Sequence, residues 1–311
     1  MEWINESVQN FADARNRDQV PHAVLVHGSA GTGRGALAAA IASGLLGLDA
    51  PEDTALPGAL GDHPDFRFVE PLPDKKTIGV DQIRALIDFL ALTSHQRGAK
   101  VAVISPAEAL THAAANALLK TLEEPPAHSI LLLLADALSR LPPTVVSRCH
   151  RLRISKPGRD SALAWLRAQD DKLDWTDLLE QSGGAPLAAL ALREQAGDDA
   201  LGALAADLAA LRGNRATPAA VARKWQKLDP DICLTWLYRQ VAFEIRQVLT
   251  GRSPDSSAKS RTGSLQNDSK MLNMDRSFDV LSELNELRRL AGGGVNVELN
   301  LMRLLSRWYG A

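Results

Sequence analysis

The sequence predicts an α/β domain built on a parallel sheet, followed by helical domains, and three observations carry that reading. Short β-like runs alternate with helical patterns through the first half of the chain. A glycine-rich loop joins one of those runs to a helix. From about Ala200 onward the pattern is amphipathic and helical, rich in Leu, Ala, Trp and Arg and poor in β-branched residues.

Taken in order, Val24-Leu25-Val26-His27 reads as the strand that feeds the loop Gly28-Ser29-Ala30-Gly31-Thr32-Gly33-Arg34-Gly35. Ala36, Leu37, Ala40, Ile41 and Leu45 then recur at helical spacing. Residues 49–65 are rich in Pro, Gly and Asp and read as a connection ending in His63-Pro64-Asp65, before the short run Phe66–Val69. Val80, Ile83, Leu86, Ile87 and Leu90 form one apolar helical face, and Val101–Ile104 is the next strand. Thr111 is placed to cap a helix whose apolar side carries Ala115, Leu118, Leu119 and Leu122. Pro125 and Pro126 stop that helix, because the residue before a proline is pushed out of helical angles, and the chain exits into a strand at Ile130–Leu134. Lys156-Pro157-Gly158 closes the sheet domain, and Gly183-Gly184-Ala185-Pro186 breaks the helical stretch that follows. The boundaries expected are 1–154 for the sheet domain, 155–200 for a small helical domain and 201–311 for a larger one, with a loose polar loop at about 251–270.

Composition narrows the classes of function. At 311 residues and 45% hydrophobic content the chain can bury a large core in more than one domain. Lys and Arg number 35 against 37 for Asp and Glu, a balance of −2, so nucleic-acid contact requires a local patch or a partner. Cys149 and Cys233 stand far apart in apolar or basic surroundings, which argues against a disulfide framework or a zinc site and for a reducing compartment. Met1-Glu2-Trp3-Ile4-Asn5-Glu6 has neither a basic start nor an apolar core, and no apolar run approaches membrane-spanning length. The expectation is a cytoplasmic protein with no membrane partner.

The loop has the skeleton of a phosphate-binding loop of the type G-x-x-x-x-G-K-[ST]. In such loops backbone N–H groups cradle phosphates, the lysine reaches the outer phosphate oxygens and the hydroxyl ligates magnesium. Gly28 and Gly33 occupy the glycine positions, while Arg34 and Gly35 stand where the lysine and the hydroxyl belong. Arginine keeps the charge in a broad planar fork, and glycine offers a metal no oxygen. A strand-to-helix turn without a ligand, its backbone N–H groups still open to an anion, is the competing reading of Gly28, Gly33, Arg34 and Gly35.

Asn116 to Pro126, with its Leu122-Glu123-Glu124-Pro125-Pro126 ending, followed by Ser147-Arg148-Cys149, resembles the clamp-loader branch of the AAA+ ATPases. Pro21-His22-Ala23, His63-Pro64-Asp65 and Ile78-Gly79-Val80-Asp81-Gln82-Ile83-Arg84 narrow the resemblance to the delta-prime family of bacterial DNA polymerase III. It covers the first half of the chain in motifs and the remainder in architecture. What it implies is a RecA-like AAA+ domain, a small helical lid and a helical collar. It further implies membership of an open hetero-pentameric ring with gamma/tau ATPase subunits and a delta subunit. That ring uses ATP and magnesium, bound by neighbouring subunits, to open a sliding clamp and place it on primer-template DNA. In that arrangement the chain is the non-hydrolysing member and has no intrinsic ATPase, with polymerase activity belonging to the complex. Arg148 is then the catalytic residue, a finger acting in trans on a neighbour's ATP, held in place by Ser147 and Cys149. Taken without the motif, Arg148 reads as a surface or internally paired arginine.

Other positions agree with an abandoned ATP site. Ser105-Pro106 stand after the strand where the family places Asp-Glu, Ala135-Asp136 where it places a polar sensor, and Leu187 where it places a lid arginine. Glu108 lies too far past the strand end to serve as the missing base. The family's four-cysteine zinc module has no cysteine here between Asp49 and Asp62, so no structural metal and no cofactor in the chain's own site are expected. His63 reads as structural, Cys149 as a small buried hydrophobe, and Glu123-Glu124 as framing for an interface. Trp225, Trp236 and Trp308 read as helical core or interface packing. Arg288, Arg289, Arg303 and Arg307 read as a solvated or cross-paired helix face, with DNA contact as the alternative. Two other functions remain open at this stage: an autonomous P-loop ATPase using Arg34, and a scaffold subunit of another AAA+ assembly.

Overall fold

In the computed structural model five short strands form one parallel sheet: β1 (Ala23–His27), β2 (Phe66–Val69), β3 (Lys100–Ile104), β4 (Ser129–Ala135) and β5 (His150–Arg153), in the order β2-β3-β4-β1-β5. Residues 1–17, 19–48, 56, 60–94, 98–228, 230–250, 274–290 and 296–309 are described. The expected loop at 251–270 and most of the 49–62 segment lie outside them.

Of the three inner strands, β3 and β4 are buried along their whole length and β1 along all but its last residue, which is why their sequences are nearly unbroken apolar runs. Side chains alternate between two cores as strand geometry requires. Leu25, Ala102, Ile104, Leu131 and Leu133 face one side, with α3 (Val80–Ala91) and α4 (His112–Glu123). Val24, Val26, Val101, Val103, Leu132 and Leu134 face the other, with α1 (Glu2–Asn16) and α2 (Arg34–Leu46). Thr111 caps α4 as expected, its hydroxyl accepting from the Ala114 amide at 3.2 Å.

Edge strand β5 was not foreseen. Its sequence His-Arg-Leu-Arg has no apolar run, and its residues are mostly exposed. A charged edge is what keeps an unpaired strand from pairing with another chain. At the N-terminal ends of β2 and β3, Lys100 Nζ lies 3.3 Å from Asp65 Oδ1 and 4.1 Å above the Phe89 ring, while the Ser94 hydroxyl donates to Asp65 Oδ2 at 2.8 Å. The Asp65 amide donates to His63 Nδ1 at 3.1 Å, so His63-Pro64-Asp65 serves the fold.

The chain divides into two compact units, 1–165 and 166–311. After α5 (Pro143–Val146) and β5 come α6 (Arg159–Gln169), α7 (Thr176–Gln181), α8 (Pro186–Arg212), α9 (Pro218–Trp225), α10 (Pro230–Thr250), α11 (Met274–Leu290) and α12 (Val297–Tyr309). The boundary expected at 200/201 falls inside α8, which runs unbroken for 27 residues. An isolated glycine such as Gly197 or Gly202 costs a helix only about 1 kcal/mol, too little to end one rich in Ala and Leu.

Within the second unit Trp225, Trp236 and Trp308 are buried in one core, Trp225 meeting Trp236 edge to face at 5.9 Å. They are core residues. Arg303 pairs with Glu283, Arg307 with Asp279 at 2.6 Å, and the Arg288 guanidinium lies 5.1 Å from the Tyr238 ring. Those three arginines are engaged within the chain; the Arg289 side chain lies outside the described residues. Arg212, at the end of α8, pairs with Glu244 of α10 and donates to the Tyr309 hydroxyl of α12 at 3.1 and 3.2 Å. No helix among the described residues is long and apolar enough to cross a membrane.

Candidate functional site

The strands of the sheet separate two places that carry the residues of interest. The glycine loop leaves the C-terminal end of β1, the end where open α/β sheets bind ligands. Its first amide, on Gly28, donates to the Ala135 carbonyl at 3.2 Å and ties the loop to the end of β4. A Cβ on Gly28 would stand 2.5 Å from the Ile154 carbonyl oxygen, so the close approach requires glycine. Thr32 is fully buried, its hydroxyl donating to the Ser29 carbonyl at 2.7 Å. Gly33 adopts φ 103°, a left-handed conformation that caps α2.

Helix α1 packs over this loop. Trp3 Nε1 donates to the Thr32 carbonyl at 2.8 Å, and Met1, Ile4 and Trp3 surround the space a Cβ on Gly33 would enter. Arg34 forms an ion pair with Asp136, just beyond β4. Asp136 is itself held by Glu108, whose Oε1 accepts from the Asp136 amide and, at 3.0 Å, from the Ala137 amide. Glu108 lies on a 3₁₀ turn, Ala107–Ala109, that follows Ser105-Pro106 at the end of β3. The loop's cation is therefore neutralised from within the chain. His27, the last residue of β1, has its pKa pushed below the ordinary value by burial and then by the charges of Arg153 and Arg151, so it is neutral at pH 7.

Ser147, Arg148 and Cys149 lie at the opposite, N-terminal, end of the strands. β5 begins at His150 level with Val24, and α4 ends on the same side before the chain turns into β4. Ser147 closes α5, donating its hydroxyl to the Thr144 carbonyl at 3.1 Å. Cys149 is buried in the core beneath α4, and burial pushes its thiol up to about 11. Between these anchored neighbours Arg148 extends across to the last residue of α4. Its Nε donates to Glu123 Oε1 at 2.7 Å, Nη2 pairs with the same oxygen, and Nη1 donates to the Thr144 carbonyl at 3.1 Å. With the side chains 35% and 50% exposed, such a pair contributes only ~0–1 kcal/mol and separates readily. His22 Nε2 lies 2.9 Å from the Leu122 carbonyl; a carbonyl only accepts, so the imidazole donates and pins the end of α4 to the start of β1.

The structure thus brings Gly28, Gly33, Arg34 and Gly35 together at one end of the sheet and Ser147, Arg148 and Cys149 at the other. Asp136, Glu108, Glu123 and His22 all stand out in the sequence, but nothing in it names their partners. The available signal was charge reciprocity, an arginine at the lysine position matched by an aspartate at the sensor position. Among the described residues no group of three or more His, Cys, Asp or Glu side chains converges as a metal site.

Comparison with known proteins agrees with the motifs. Residues 3–158 match the family described as DNA polymerase III, delta subunit. The delta' subunit of DNA polymerase III from Pseudomonas aeruginosa is 36% identical over 245 residues, covering 75% of this chain and 74% of that protein. Its Escherichia coli counterpart is 34% identical over 203 residues, covering 61% and 60%. The tau subunit of Bacillus subtilis DNA polymerase III is 33% identical over 157 residues, 48% of this chain and 27% of that protein. A DNA polymerase III gamma subunit-related protein from Thermotoga maritima has the same fold, with a TM-score of 0.54 at 17% identity over 98% of this chain and 99% of that one. Motifs, fold and sequence converge on one assignment: the chain belongs to the delta-prime subunit family of bacterial DNA polymerase III.

Proposed function

We propose that this chain is the non-hydrolysing subunit of a clamp loader, and that it supplies Arg148 in trans to the ATP site of a neighbouring subunit. The observation that carries the reading is the placement of Arg148 at the end of the sheet opposite the glycine loop. A strand of this length spans roughly 17 Å, more than a side chain can cross to its own loop. A half-exposed guanidinium on that edge meets only a nucleotide held by another protein.

Such a guanidinium has a defined task. As water attacks the γ-phosphorus, the bond to the β–γ bridging oxygen breaks, ADP leaves with the electron pair, and inorganic phosphate departs. The negative charge spread over the γ-phosphoryl oxygens is offset by the arginine, an effect worth about 10³ to 10⁵ in rate where it has been measured. ATP and magnesium belong to the neighbour, a gamma/tau-type subunit. The delta subunit, the sliding clamp and primer-template DNA are reached through the hetero-pentameric complex in the cytoplasm.

The chain's own loop supports the division of labour. Arg34 is engaged by Asp136, Gly35 has no hydroxyl for a metal, Ser105-Pro106 supply no carboxylate, and α1 crowds Gly33. This residue set does not fit a magnesium nucleotide, and the same facts weigh against an autonomous ATPase. Two assays test the reading. The purified chain turns over no ATP, and Arg148→Ala in the reconstituted complex sharply lowers clamp- and DNA-stimulated ATPase; magnesium-dependent turnover by the chain alone would favour the autonomous enzyme.

A further inference from the structure

We infer that Glu123 is the positioning residue of Arg148, holding the guanidinium by its side so that its outer end is presented to the neighbour's γ-phosphate. The inference rests on the trans role of Arg148 and adds the group that sets its geometry.

Glu123 Oε1 engages Nε, at 2.7 Å, and Nη2, while the Thr144 carbonyl accepts from Nη1 at 3.1 Å. Ser147 Oγ lies a further 3.4 Å from Nη1. Nε and the neighbouring terminal nitrogen Nη2 form the side of the guanidinium, and a carboxylate there leaves one N–H on Nη2, while Nη1 is directed to the Thr144 carbonyl and Ser147 Oγ. The end formed by Nη1 and Nη2 is the one that makes bidentate contact with phosphate oxygens, and a phosphate there displaces the neutral acceptors from Nη1. A long side chain with several rotamers is thereby fixed about one side, and only neutral acceptors occupy its phosphate-binding end.

Glu123 is itself held in place. It is the last residue of α4, and Pro125 and Pro126 prevent the helix from continuing. The Glu124 amide donates to the Lys120 carbonyl at 2.8 Å, and His22 secures the Leu122 carbonyl at 2.9 Å. Two sequence-distant pieces therefore meet at the arginine, the end of α4 and the α5–β5 turn that carries it, and the start of β1 secures the first of them. The C-terminal ends of α4 and α5 both face the cation, the polarity that a positive charge favours. Because both partners remain half exposed, the pair orients the arginine without locking it away from a stronger anionic ligand.

A double-mutant cycle in the reconstituted complex tests this, reading single-turnover ATP hydrolysis and, separately, ATP affinity. Arg148→Ala must first slow hydrolysis; if it does not, the trans role fails and this inference with it. Given that it does, Glu123→Ala is expected to slow hydrolysis by on the order of tenfold to a hundredfold with ATP affinity unchanged, the cost of a misplaced catalytic group. Glu123→Gln, which keeps an acceptor oxygen for Nε, restores the rate to within about threefold, corresponding to less than about 1 kcal/mol in the barrier. In an Arg148→Ala background Glu123→Ala adds no further loss. An unchanged or faster rate in Glu123→Ala, failure of Glu123→Gln to restore it, or an equal loss with Arg148 already absent would each overturn the positioning role while leaving the finger intact.

Discussion

Cys149 stands next to the half-exposed Arg148 yet is buried, and its thiol is pushed by burial from 9.0 to about 11. A raised folded-state pKa contributes stability that is fully present below the unfolded value and is lost as pH rises through the folded one. Stability of the sheet unit is therefore expected to fall between pH 9 and about 11, by roughly 2–3 kcal/mol from this group, and less in Cys149→Ser. Urea unfolding across that range checks it; a flat profile in the wild type would contradict the burial account. Native Cys149 is likewise expected to resist thiol reagents at pH 8, because little thiolate forms and access is closed. At this scale the sequence was legible in residue identity and silent on pairing. Arg34 and Asp136 each stood out as departures, but the contact between them spans 102 positions. Nothing local in either segment encodes it, and the same holds for Arg148 with Glu123.

Elements were legible where periodicity is strong. Four strands and helices α2, α3 and α4 follow from apolar runs, caps and proline stops, because burial forces those patterns, whereas α1 lies outside the sequence expectation. β5 was invisible for the complementary reason: an edge strand carrying His150, Arg151 and Arg153 satisfies its backbone on one side and leaves its side chains to solvent. The join between β1 and β5 depends on Gly28, where a Cβ would lie 2.5 Å from the Ile154 carbonyl oxygen. Gly28→Ala is expected to destabilise the sheet unit by about 1–3 kcal/mol, measured by denaturant unfolding. In the second unit Arg212 joins α8, α10 and α12 through Glu244 and Tyr309. Burial raises the Glu244 and Tyr309 pKa values against the pull of Arg212, so removing the arginine strands a buried carboxylate. Arg212→Ala is expected to cost about 3 kcal/mol, whereas Arg212→Met with Glu244→Leu costs less. Equal losses in the two variants would show that the charges are not coupled.

At the scale of the whole molecule, the near-neutral balance of 35 basic and 37 acidic residues gives the chain no overall basic bias, so DNA contact requires a local patch or a partner. Arg288, Arg303 and Arg307, which sequence alone left open to DNA, are engaged by Tyr238, Glu283 and Asp279. The division of the chain was only partly legible, because composition changes near residue 200 while the backbone continues through α8. What unites the molecule is the polarity of one parallel sheet. Its C-terminal end carries a glycine loop closed by Arg34, Asp136 and α1, and its N-terminal end carries Arg148 on Glu123.

The most direct test of that polarity uses a reconstituted complex in which only the ATP site bordering this chain is catalytically competent. Single-turnover hydrolysis at that site should fall by about 10³-fold with Arg148→Ala and be recovered poorly by Arg148→Lys, which keeps the charge without the planar fork. Substitution of Arg34 should leave the rate unchanged. A rate indifferent to Arg148, or one that depends instead on Arg34, would contradict the account.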